Sequence, residues 1–544
     1  MLLIYPPVAR STEAPLGIAR LAGFLGARGI RTRLLDLNHE GMEFLLAAEI
    51  GGSDTWTKGA LKRRSSNLDL LRKSETYRSP DRYARAVLDL NRALKAASAS
   101  SGAEAGLANY VEFARTPLSR SDLQAAAKDF GLSPYFPLFS RRIEEELAVF
   151  PATRVGLSLD YLSQALPAFA VLGYLAEAHP EIERILGGGL VSSWIYQGAL
   201  RTDDDFCGLV DAVLPGRGEE ALAWHLRLSG EKSHEYSRGG DEERFSGPES
   251  APPEPSASFA HTPPEFELPD FSDFEKLKYL SPVRVLPYNF TSGCPWKRCS
   301  FCPEKAEDAR YAGIRIESAS AEIASLVRAY KPGFFHFTDN EIAPLYLRSL
   351  VDRPPGRPWY GFARFSAILE DREFCFSLAD SGCRMLQLGL ESGDQAVLDA
   401  LGKGTRLEAI DAILENLARA GIATFVYVLF GTPAEDRIAA ARTRDYLESR
   451  ADMIGFLNIA IFNMPASSHE AKALDTRSFY DGELSLYREF VHPRGWDRDE
   501  VRAFVGRELE SCEPIRRIIR RCPPIFTSNH APFFADLQPY KTSE

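Results

Sequence analysis

The sequence lacks several features that define particular classes of protein. Its 544 residues contain no uninterrupted apolar run of the roughly 18 residues that a membrane-spanning helix needs. Residues 1–7 carry no basic region and reach a proline at position 6, so they do not have the pattern of a signal peptide. Cysteine is scarce and unevenly placed, with eight residues in all, which argues against a disulfide framework and predicts a reducing, cytoplasmic location.

Positive charge is also in deficit. The chain has 64 Lys and Arg against 75 Asp and Glu, a net charge of −11 and a pI of about 5.5. A general nucleic-acid binder would show a basic footprint, so this charge balance argues against nucleic acid as a partner. Hydrophobic content of 45% and charged content of 26% are those of an ordinary globular protein, and the length predicts roughly two to four domains.

The first 228 residues have the pattern of an interrupted parallel sheet. Short apolar strands alternate with helical periodicity, which is typical of an α/β, doubly wound fold. Glycine-rich loops follow several of these strands and would let the backbone approach a ligand at the carboxyl edge of the sheet. The predicted strands are 2–5, 32–37, 155–159, 185–186 and 211–214.

Residues 41–153 are predicted to be a mostly helical insertion into that sheet. Within them, residues 51–100 hold 11 Lys and Arg against 5 Asp and Glu, which reverses the overall sign of charge. Two interpretations stay open: a solvated helical surface, or a docking surface for an acidic partner or peptide.

Composition divides the rest of the chain into three parts. Residues 229–263 are rich in Ser, Gly, Glu and Pro and are predicted to be a linker, because they bury too little apolar surface to offset chain entropy. Residues 264–469 carry six predicted strand–helix units, and residues 470–544 are predicted to form a C-terminal helical cap. The six candidate strands are 285–291, 333–338, 358–365, 384–390, 424–430 and 454–461.

Three cysteines lie within nine residues, at the end of the first of these strands: Cys294, Cys299 and Cys302. Three thiolates on one loop suit a soft metal centre. A structural zinc site needs four protein ligands, and the next cysteine is as distant as Cys375. Three ligands and one open position fit a [4Fe-4S] cluster, with a zinc loop completed from a distance or purely structural cysteines as alternatives.

This loop, with Phe301 just before the third cysteine and strand–helix units after it, resembles the radical S-adenosylmethionine (SAM) superfamily. The commonest spacing there has three residues between the first two cysteines, whereas this chain has four, Pro295 to Arg298. The resemblance implies a partial (β/α)6 barrel resembling a TIM barrel, a cluster held by the three cysteines, and reductive cleavage of SAM to a 5′-deoxyadenosyl radical. It also implies an electron donor of the flavodoxin or ferredoxin type.

The same resemblance implies a SAM site at the carboxyl ends of the strands. Thr338, Asp339 and Asn340 would accept from the ammonium group of SAM. Arg364 would meet its carboxylate, for which a guanidinium fork is well shaped, and Glu391 would accept from the ribose diol. The alternatives are helix caps for the acidic and amide residues and a salt bridge for Arg364.

The glycine-rich loops of the first 228 residues resemble the Rossmann-like cobalamin-binding domain that precedes many radical SAM barrels. Proteins that ligate cobalt through histidine carry Asp-x-His-x-x-Gly, whereas this chain has Asp36-Leu-Asn38-His39-Glu-Gly41, so His39 is expected to be a surface residue and not a ligand. A Rossmann-like domain without cofactor is the alternative. The implied cobalamin-binding residues are Pro15, Leu16, Gly17, Ser158, Gly187, Gly188, Gly189, Gly216 and Gly218.

These resemblances imply a cobalamin-dependent radical SAM enzyme that transfers a methyl group to an unactivated carbon of a small-molecule or peptide substrate. One alternative is a radical rearrangement, cyclisation or oxidation without methyl transfer, and another is a non-enzymatic iron–sulfur electron-transfer protein. Cys512, Cys522 and His530 are expected to be structural, and residues 527–534 are a candidate segment for closing over substrate or cobalamin. No catalytic residue is assigned.

Overall fold

The computed structural model describes residues 1–228, 267–307, 310–522 and 531–534. The predicted linker at 229–263 and His530 therefore lie outside the described residues. Within the described ranges no helix is both long enough and apolar enough to cross a membrane.

The N-terminal part contains a five-stranded sheet, an interrupting helical segment and a small hairpin. Its elements, in chain order, are β1 (Leu2–Tyr5), α1 (Leu16–Gly26), β2 (Arg33–Asp36), α2 (Leu37–Ala47), α3 (Thr55–Leu71), α4 (Pro80–Ser98), β3 (Ala103–Ala105), β4 (Tyr110–Glu112), α5 (Arg120–Lys128), α6 (Phe136–Val149), β5 (Arg154–Ser158), α7 (Leu162–Ala178), β6 (Glu183–Gly187), α8 (Gly189–Tyr196), β7 (Ala212–Leu214) and α9 (Gly218–Leu228).

The sheet has the strand order β2-β1-β5-β6-β7, with every pair parallel. All four residues of β1 are buried, as expected for a parallel strand covered on both faces. The predicted doubly wound α/β sheet is confirmed. The order reverses at β1, and ligands bind at such a switch point outside the carboxyl ends of the strands.

The segment between α2 and β5 is mostly helical, as predicted. Helices α3 and α4 pack against each other, and α5 and α6 pack against α7. The antiparallel hairpin of β3 and β4 was not predicted, because each strand has only three residues, too few for alternation to be recognised.

The second part is a curved six-stranded sheet with helices outside it. Its elements are β8 (Val285–Tyr288), β9 (Thr291–Ser292), α10 (Pro303–Ala306), β10 (Ala312–Gly313), α11 (Ile316–Tyr330), β11 (Phe334–Phe337), α12 (Pro344–Asp352), β12 (Trp359–Ala363), α13 (Arg372–Asp380), β13 (Cys383–Glu391), α14 (Gln395–Ala400), α15 (Leu407–Arg419), β14 (Ala423–Phe430), α16 (Arg437–Ser449) and β15 (Phe456–Ile461).

The strand order β8-β11-β12-β13-β14-β15 is fully parallel and follows the chain, so the six predicted strands and the partial barrel are confirmed. Near the amino ends of the strands, inward side chains form a separate apolar cluster that closes this end of the barrel. The opposite, carboxyl end is therefore the mouth, where active groups of such barrels lie. The closing cluster contains Val285, Phe334, Tyr360, Met385, Phe425, Phe456 and Ala531.

The C-terminal part, predicted to be a helical cap, contains short strands as well as helices. It contains β16 (Met464–Pro465), α17 (His469–Ala473), β17 (Thr476–Ser478), β18 (Tyr487–Phe490), α18 (Arg498–Phe504) and α19 (Glu513–Arg521). The three strands form an antiparallel sheet in the order β16-β18-β17. Strands of two to four residues give almost no period-2 signal, which is why the sequence did not indicate them.

Residues 531–534 do not close over the mouth. The ring of Phe534 lies 4.8 Å from that of Phe456, and the ring of Phe533 lies 5.0 Å from Tyr77 and from Tyr83. These partners belong to the amino end of β15 and to the helical insertion. The segment therefore fastens the insertion to the closed end of the barrel, and that part of the expectation was wrong.

The two sheets share one hydrophobic core. Leu3 and Leu34 of the first sheet and Ile18 of α1 belong to the same buried cluster as Leu286 and Tyr288 of the barrel. Arg20 on α1 donates from Nε to Asn289 Oδ1 and from Nη2 to the Asn289 carbonyl, both at 2.7 Å. These contacts bring the carboxyl edge of the first sheet next to the first strand of the barrel.

Candidate active site

The cysteine loop begins directly after β9, a short strand paired with β10. Gly293 has φ of +74°, and a Cβ there would lie 2.6 Å from the Arg310 carbonyl oxygen, so the turn into the loop requires glycine. Cys299 is buried, whereas Cys294 and Cys302 are half-buried. The structure thus presents three thiols at the barrel mouth.

A second loop, after α14, fixes the position of the cysteine loop. Trp296 Nε1 donates to the Gly402 carbonyl at 2.9 Å, and the Ser300 amide donates to the Leu401 carbonyl at 2.9 Å. Gly404 has φ of +69°, and a Cβ there would lie 2.2 Å from the Trp296 ring. Sequence reasoning missed this support, although the pattern Gly402-Lys403-Gly404 was its visible signal.

Burial and neighbouring positive charges act in opposite directions on the thiols of this loop. Burial raises the pKa of the Cys302 thiol to about 11 and also raises the pKa of Cys299, where Lys403 and Arg364 act in the opposite direction. Thiols of this kind ionise when a metal centre supplies the compensating charge. Among the described residues, no three His, Cys, Asp or Glu side chains converge on one point as ligands of a single metal ion. In a [4Fe-4S] cluster, by contrast, each iron takes its own thiolate.

Arg364 connects the third barrel strand to this loop. Its Nη1 lies 3.9 Å from Cys299 Sγ, its Nε lies 3.6 Å from Glu341 Oε2, and its guanidinium lies 4.3 Å from the centre of the Trp296 ring. Glu341 also lies 3.9 Å from Cys294 Sγ. Burial raises the pKa of Glu341, whereas the charge of Arg364 lowers it. Glu341 is a site residue that sequence reasoning missed, although it closes the run Thr338 to Glu341.

The three predicted acceptors after β11 have different surroundings. Asp339 accepts from the Thr291 amide at 2.7 Å, from the Thr291 hydroxyl at 2.6 Å and from the Phe290 amide at 3.1 Å. Burial raises its pKa to about 6. Asp339 therefore holds the chain that leads into the cysteine loop, whereas Thr338 is half-buried and Asn340 is exposed beside Glu304.

Glu391, at the end of β13, has a strained backbone. Its φ is +65°, and the register with β14 shifts between Gly389 and Glu391. Its Oε1 accepts from Lys403 Nζ at 2.7 Å, and the two side chains are 12% and 7% exposed. A non-glycine residue in this conformation is costly and is characteristic of functional sites. Sequence reasoning missed Lys403.

A cleft of about 250 Å³ lies at the carboxyl edge of the first sheet. Seven of the nine predicted cobalamin-binding residues line it: Gly17, Ser158, Gly187, Gly188, Gly189, Gly216 and Gly218. Pro15 and Leu16 are not part of the lining. Asn289 and Ser292, which precede the cysteine loop, form another wall, so the cleft and the cysteine loop are neighbours.

His39 is buried, with 1% exposure, and the expectation of a surface histidine was wrong. It lies on α2, where its Nδ1 is 2.6 Å from the Ser11 hydroxyl oxygen. Burial lowers its pKa to about 4. His39 is absent from the lining of the glycine-rich cleft. The histidine thus packs against the loop after β1 and lies outside the lining of the glycine-rich cleft.

Comparison with known proteins identifies the second part of the chain. Residues 288–444 match the Radical SAM superfamily. Bacteriochlorophyllide d C-12(1)-methyltransferase of Chlorobaculum tepidum is 27% identical over 194 residues, which are 34% of this chain and 41% of that protein. An uncharacterized methyltransferase of Pyrococcus horikoshii is 24% identical over 247 residues, 42% of this chain and 51% of that protein. The chain therefore matches about half of the length of these relatives, or less.

Solved structures share the fold of both parts. The cobalamin-dependent S-adenosylmethionine radical enzyme OxsB, with aqua-cobalamin bound, superposes with a TM-score of 0.52 and 13% identity, over 91% of this chain and 64% of that one. The radical S-adenosylmethionine methyltransferase TsrM from Kitasatospora setae, with tryptophan and a SAM analogue bound, superposes with a TM-score of 0.51 and 14% identity, over 95% of this chain and 88% of that one. The match to the Radical SAM superfamily thus lies within an α/β architecture that this chain shares with both solved structures.

Proposed function

We propose that this protein is a cobalamin-dependent radical SAM enzyme that transfers a methyl group to an unactivated carbon. The observation that carries the proposal is the shared wall of two sites. Asn289 and Ser292 line the glycine-rich cleft and also lead into Cys294, and hydrogen bonds from Arg20 and to Asp339 fix this stretch. A corrinoid in the cleft would then lie beside a cluster on the cysteine loop.

Cys294, Cys299 and Cys302 would hold the cluster, and the glycines of the cleft would hold the corrinoid. When bound, the cluster supplies the electron that cleaves SAM to methionine and a 5′-deoxyadenosyl radical, and the corrinoid supplies the methyl group. The protein's task is to place these groups and the substrate within reach of one another and to exclude water.

For SAM, the proposed contacts are charged groups around the cysteine loop. Arg364 would bind the SAM carboxylate through its guanidinium fork, and Glu391 would accept from the ribose diol. Glu341, which is buried beside Arg364 and Cys294, would accept from the ammonium group together with Thr338 and Asn340. Asp339 would act by holding the loop, because its carboxylate already accepts three hydrogen bonds from it.

The function is tested with protein purified without oxygen, loaded with iron, sulfide and hydroxocobalamin, and supplied with a chemical reductant, SAM labelled on its methyl group and a small-molecule extract of the source organism as the source of substrate. Formation of 5′-deoxyadenosine together with a labelled product supports methyl transfer. Formation of 5′-deoxyadenosine with an unlabelled product supports rearrangement, cyclisation or oxidation. A protein that binds iron but never cleaves SAM would be an electron-transfer protein.

Gly188 offers a prediction about the cleft. It has φ of +109°, and a Cβ there would lie 2.5 Å from backbone atoms of Leu159. We expect Gly188→Ala to displace the loop and to weaken hydroxocobalamin binding by at least about tenfold, since this conformation is strained for any side chain. Absorbance titration of the corrinoid measures the effect. Gly26→Ala is the matched control, because a Cβ there meets nothing within 4 Å; equal affinities for both variants would contradict the assignment.

The proposed function also requires a protein partner that donates electrons. A flavodoxin- or ferredoxin-type protein would supply electrons, and the acidic balance of the chain disfavours nucleic acid. The cytoplasmic location inferred from cysteine usage stays a prediction.

A further inference from the structure

The inside of the barrel is open on the side of the mouth, toward the carboxyl ends of the strands. Along β14, Tyr427 and Leu429 are half-buried whereas Val428 between them is buried. On β15, Asn458 is half-buried and Ala460 is exposed. The helices cover the outward side chains, so the exposed alternate positions are those that face inward. Space for a ligand therefore begins above the apolar cluster that closes the other end.

Polar side chains surround this space at the level just above the closed end. The barrel contributes His336, Gln387 and Tyr427, and Gln387 Nε2 donates to Tyr427 Oη at 3.1 Å. The loop after β1 contributes Arg10 and Glu13 from the N-terminal part. Glu13 Oε1 lies 2.7 Å from His336 Nδ1, across 323 residues of sequence.

Arg10 links this layer to the glycine-rich cleft. It forms a hydrogen bond with Tyr161, which follows Asp160 at the cleft wall. Burial raises the pKa of Tyr427 to about 12, and the positive charge of Arg10 acts in the opposite direction, as it does on Tyr360. Arg10 is therefore near the lumen residues and near the cleft at the same time.

Three polar atoms in this layer have no hydrogen-bond partner anywhere in the described part of the chain: Arg10 Nη1, Glu13 Oε2 and Tyr360 Oη. All three are shielded from solvent. Leaving buried polar atoms unpaired is expensive, and it is most expensive for charged groups. A bound molecule with polar groups that pair with these atoms would remove that cost, whereas a bound apolar molecule would leave the atoms unpaired.

We propose that Arg10 and Glu13 form the substrate-binding site, and that the substrate is a small polar molecule with a carboxylate or phosphate for Arg10 and a hydrogen-bond donor for Glu13. This inference rests on the proposed function and names its substrate class. Placed there, the substrate lies beside His336 inside the barrel and close to the glycine-rich cleft, which Arg10 approaches through Tyr161. Arg10 and Glu13 are binding residues and take no part in bond making.

The experiment uses the holoenzyme, labelled SAM and a small-molecule extract of the source organism. One portion of the extract is passed over a strong anion exchanger at about pH 10, where carboxylates and phosphates are retained even when the molecule carries an α-amino group. We expect the untreated extract and the eluted anions to stimulate 5′-deoxyadenosine formation, and the depleted extract not to do so. Stimulation by the neutral flow-through would overturn the proposal.

Variants separate binding from chemistry. Arg10→Gln should raise the KM for the active fraction about 10- to 100-fold, the usual effect of losing a charge-assisted hydrogen bond, and leave cluster and corrinoid absorption unchanged. Arg10→Lys should recover part of the loss, since it keeps the charge without the planar fork. Arg201→Gln is the control, since Arg201 is 83% exposed and pairs only with its neighbour Asp203 among the residues described.

Glu13→Gln provides the second variant should Arg10→Gln not fold, and its KM should also rise. An unchanged KM in both folded variants would overturn the assignment while leaving the proposed function intact. If fully loaded wild-type enzyme cleaves no SAM with any fraction, the proposed function itself fails, and this inference fails with it.

Discussion

Replacing Cys294, Cys299 or Cys302 with alanine is expected to abolish SAM cleavage. Each thiolate would hold one iron, and the loop has no fourth cysteine to replace a lost one. The other described cysteines lie at least 73 residues from Cys302 along the chain, and one of them, Cys207, is exposed on the N-terminal part. Iron, acid-labile sulfide and the brown absorption of anaerobically reconstituted protein should fall to background together with 5′-deoxyadenosine formation.

Cys207→Ala is the matched control, because this cysteine is exposed and its sulfur accepts only from Gln124 among the described hydrogen bonds. It should keep full iron content and activity. Brown, active protein after Cys299→Ala would contradict the cluster assignment. Loss of zinc instead of iron and sulfide on alanine substitution would favour the alternative of a zinc loop.

Much of the fold could be predicted because its elements repeat strong local signals. All six barrel strands lie where apolar runs between helical patterns placed them, with ends differing by a few residues. Parallel strands buried on both faces give continuous apolar runs, which are hard to miss. Strands β16, β17 and β18 have no continuous apolar run. They are short, and their pairing depends on contacts that only the tertiary fold creates.

For the candidate site, the sequence indicates residues whose type alone suggests a role, and it does not indicate residues whose role depends on a partner distant in the chain. Glycines that line the cleft and cysteines of the loop are visible singly in the sequence. Lys403 and Glu341 are ordinary charged residues until folding places them against Glu391 and Arg364. Arg10 and Glu13 are harder still to recognise, because they lie in a loop of the N-terminal part and reach His336 inside the barrel.

Asp339 shows why residue type alone did not fix a role. The sequence indicated that a carboxylate follows this strand. It did not indicate that two backbone amides and a hydroxyl group donate hydrogen bonds to that carboxylate. A carboxylate surrounded by three donors from one loop positions that loop. The neighbouring Glu341, with a guanidinium and a thiol beside it, is the better candidate for an incoming ammonium group.

The pair of Glu391 and Lys403 should give the second large effect. Glu391→Gln leaves the Lys403 ammonium, 7% exposed, without its carboxylate, and breaking a buried pair in this way costs about 3–5 kcal/mol. The variant should unfold at a lower denaturant concentration than wild type. It should also bind SAM about 10- to 100-fold more weakly, because a charged acceptor for the ribose diol is lost.

A double variant separates these two effects. Glu391→Gln with Lys403→Met replaces the pair by neutral groups, a change that is often close to neutral in stability, so the denaturant midpoint should return toward that of wild type. SAM affinity, measured by equilibrium dialysis of the reconstituted protein, should stay weak. Glu415→Gln, which breaks an exposed pair with Arg419, should change neither quantity appreciably. Recovery of SAM binding in the double variant would mean that Glu391 serves only to neutralise Lys403, and the ribose contact would have to be assigned to another residue.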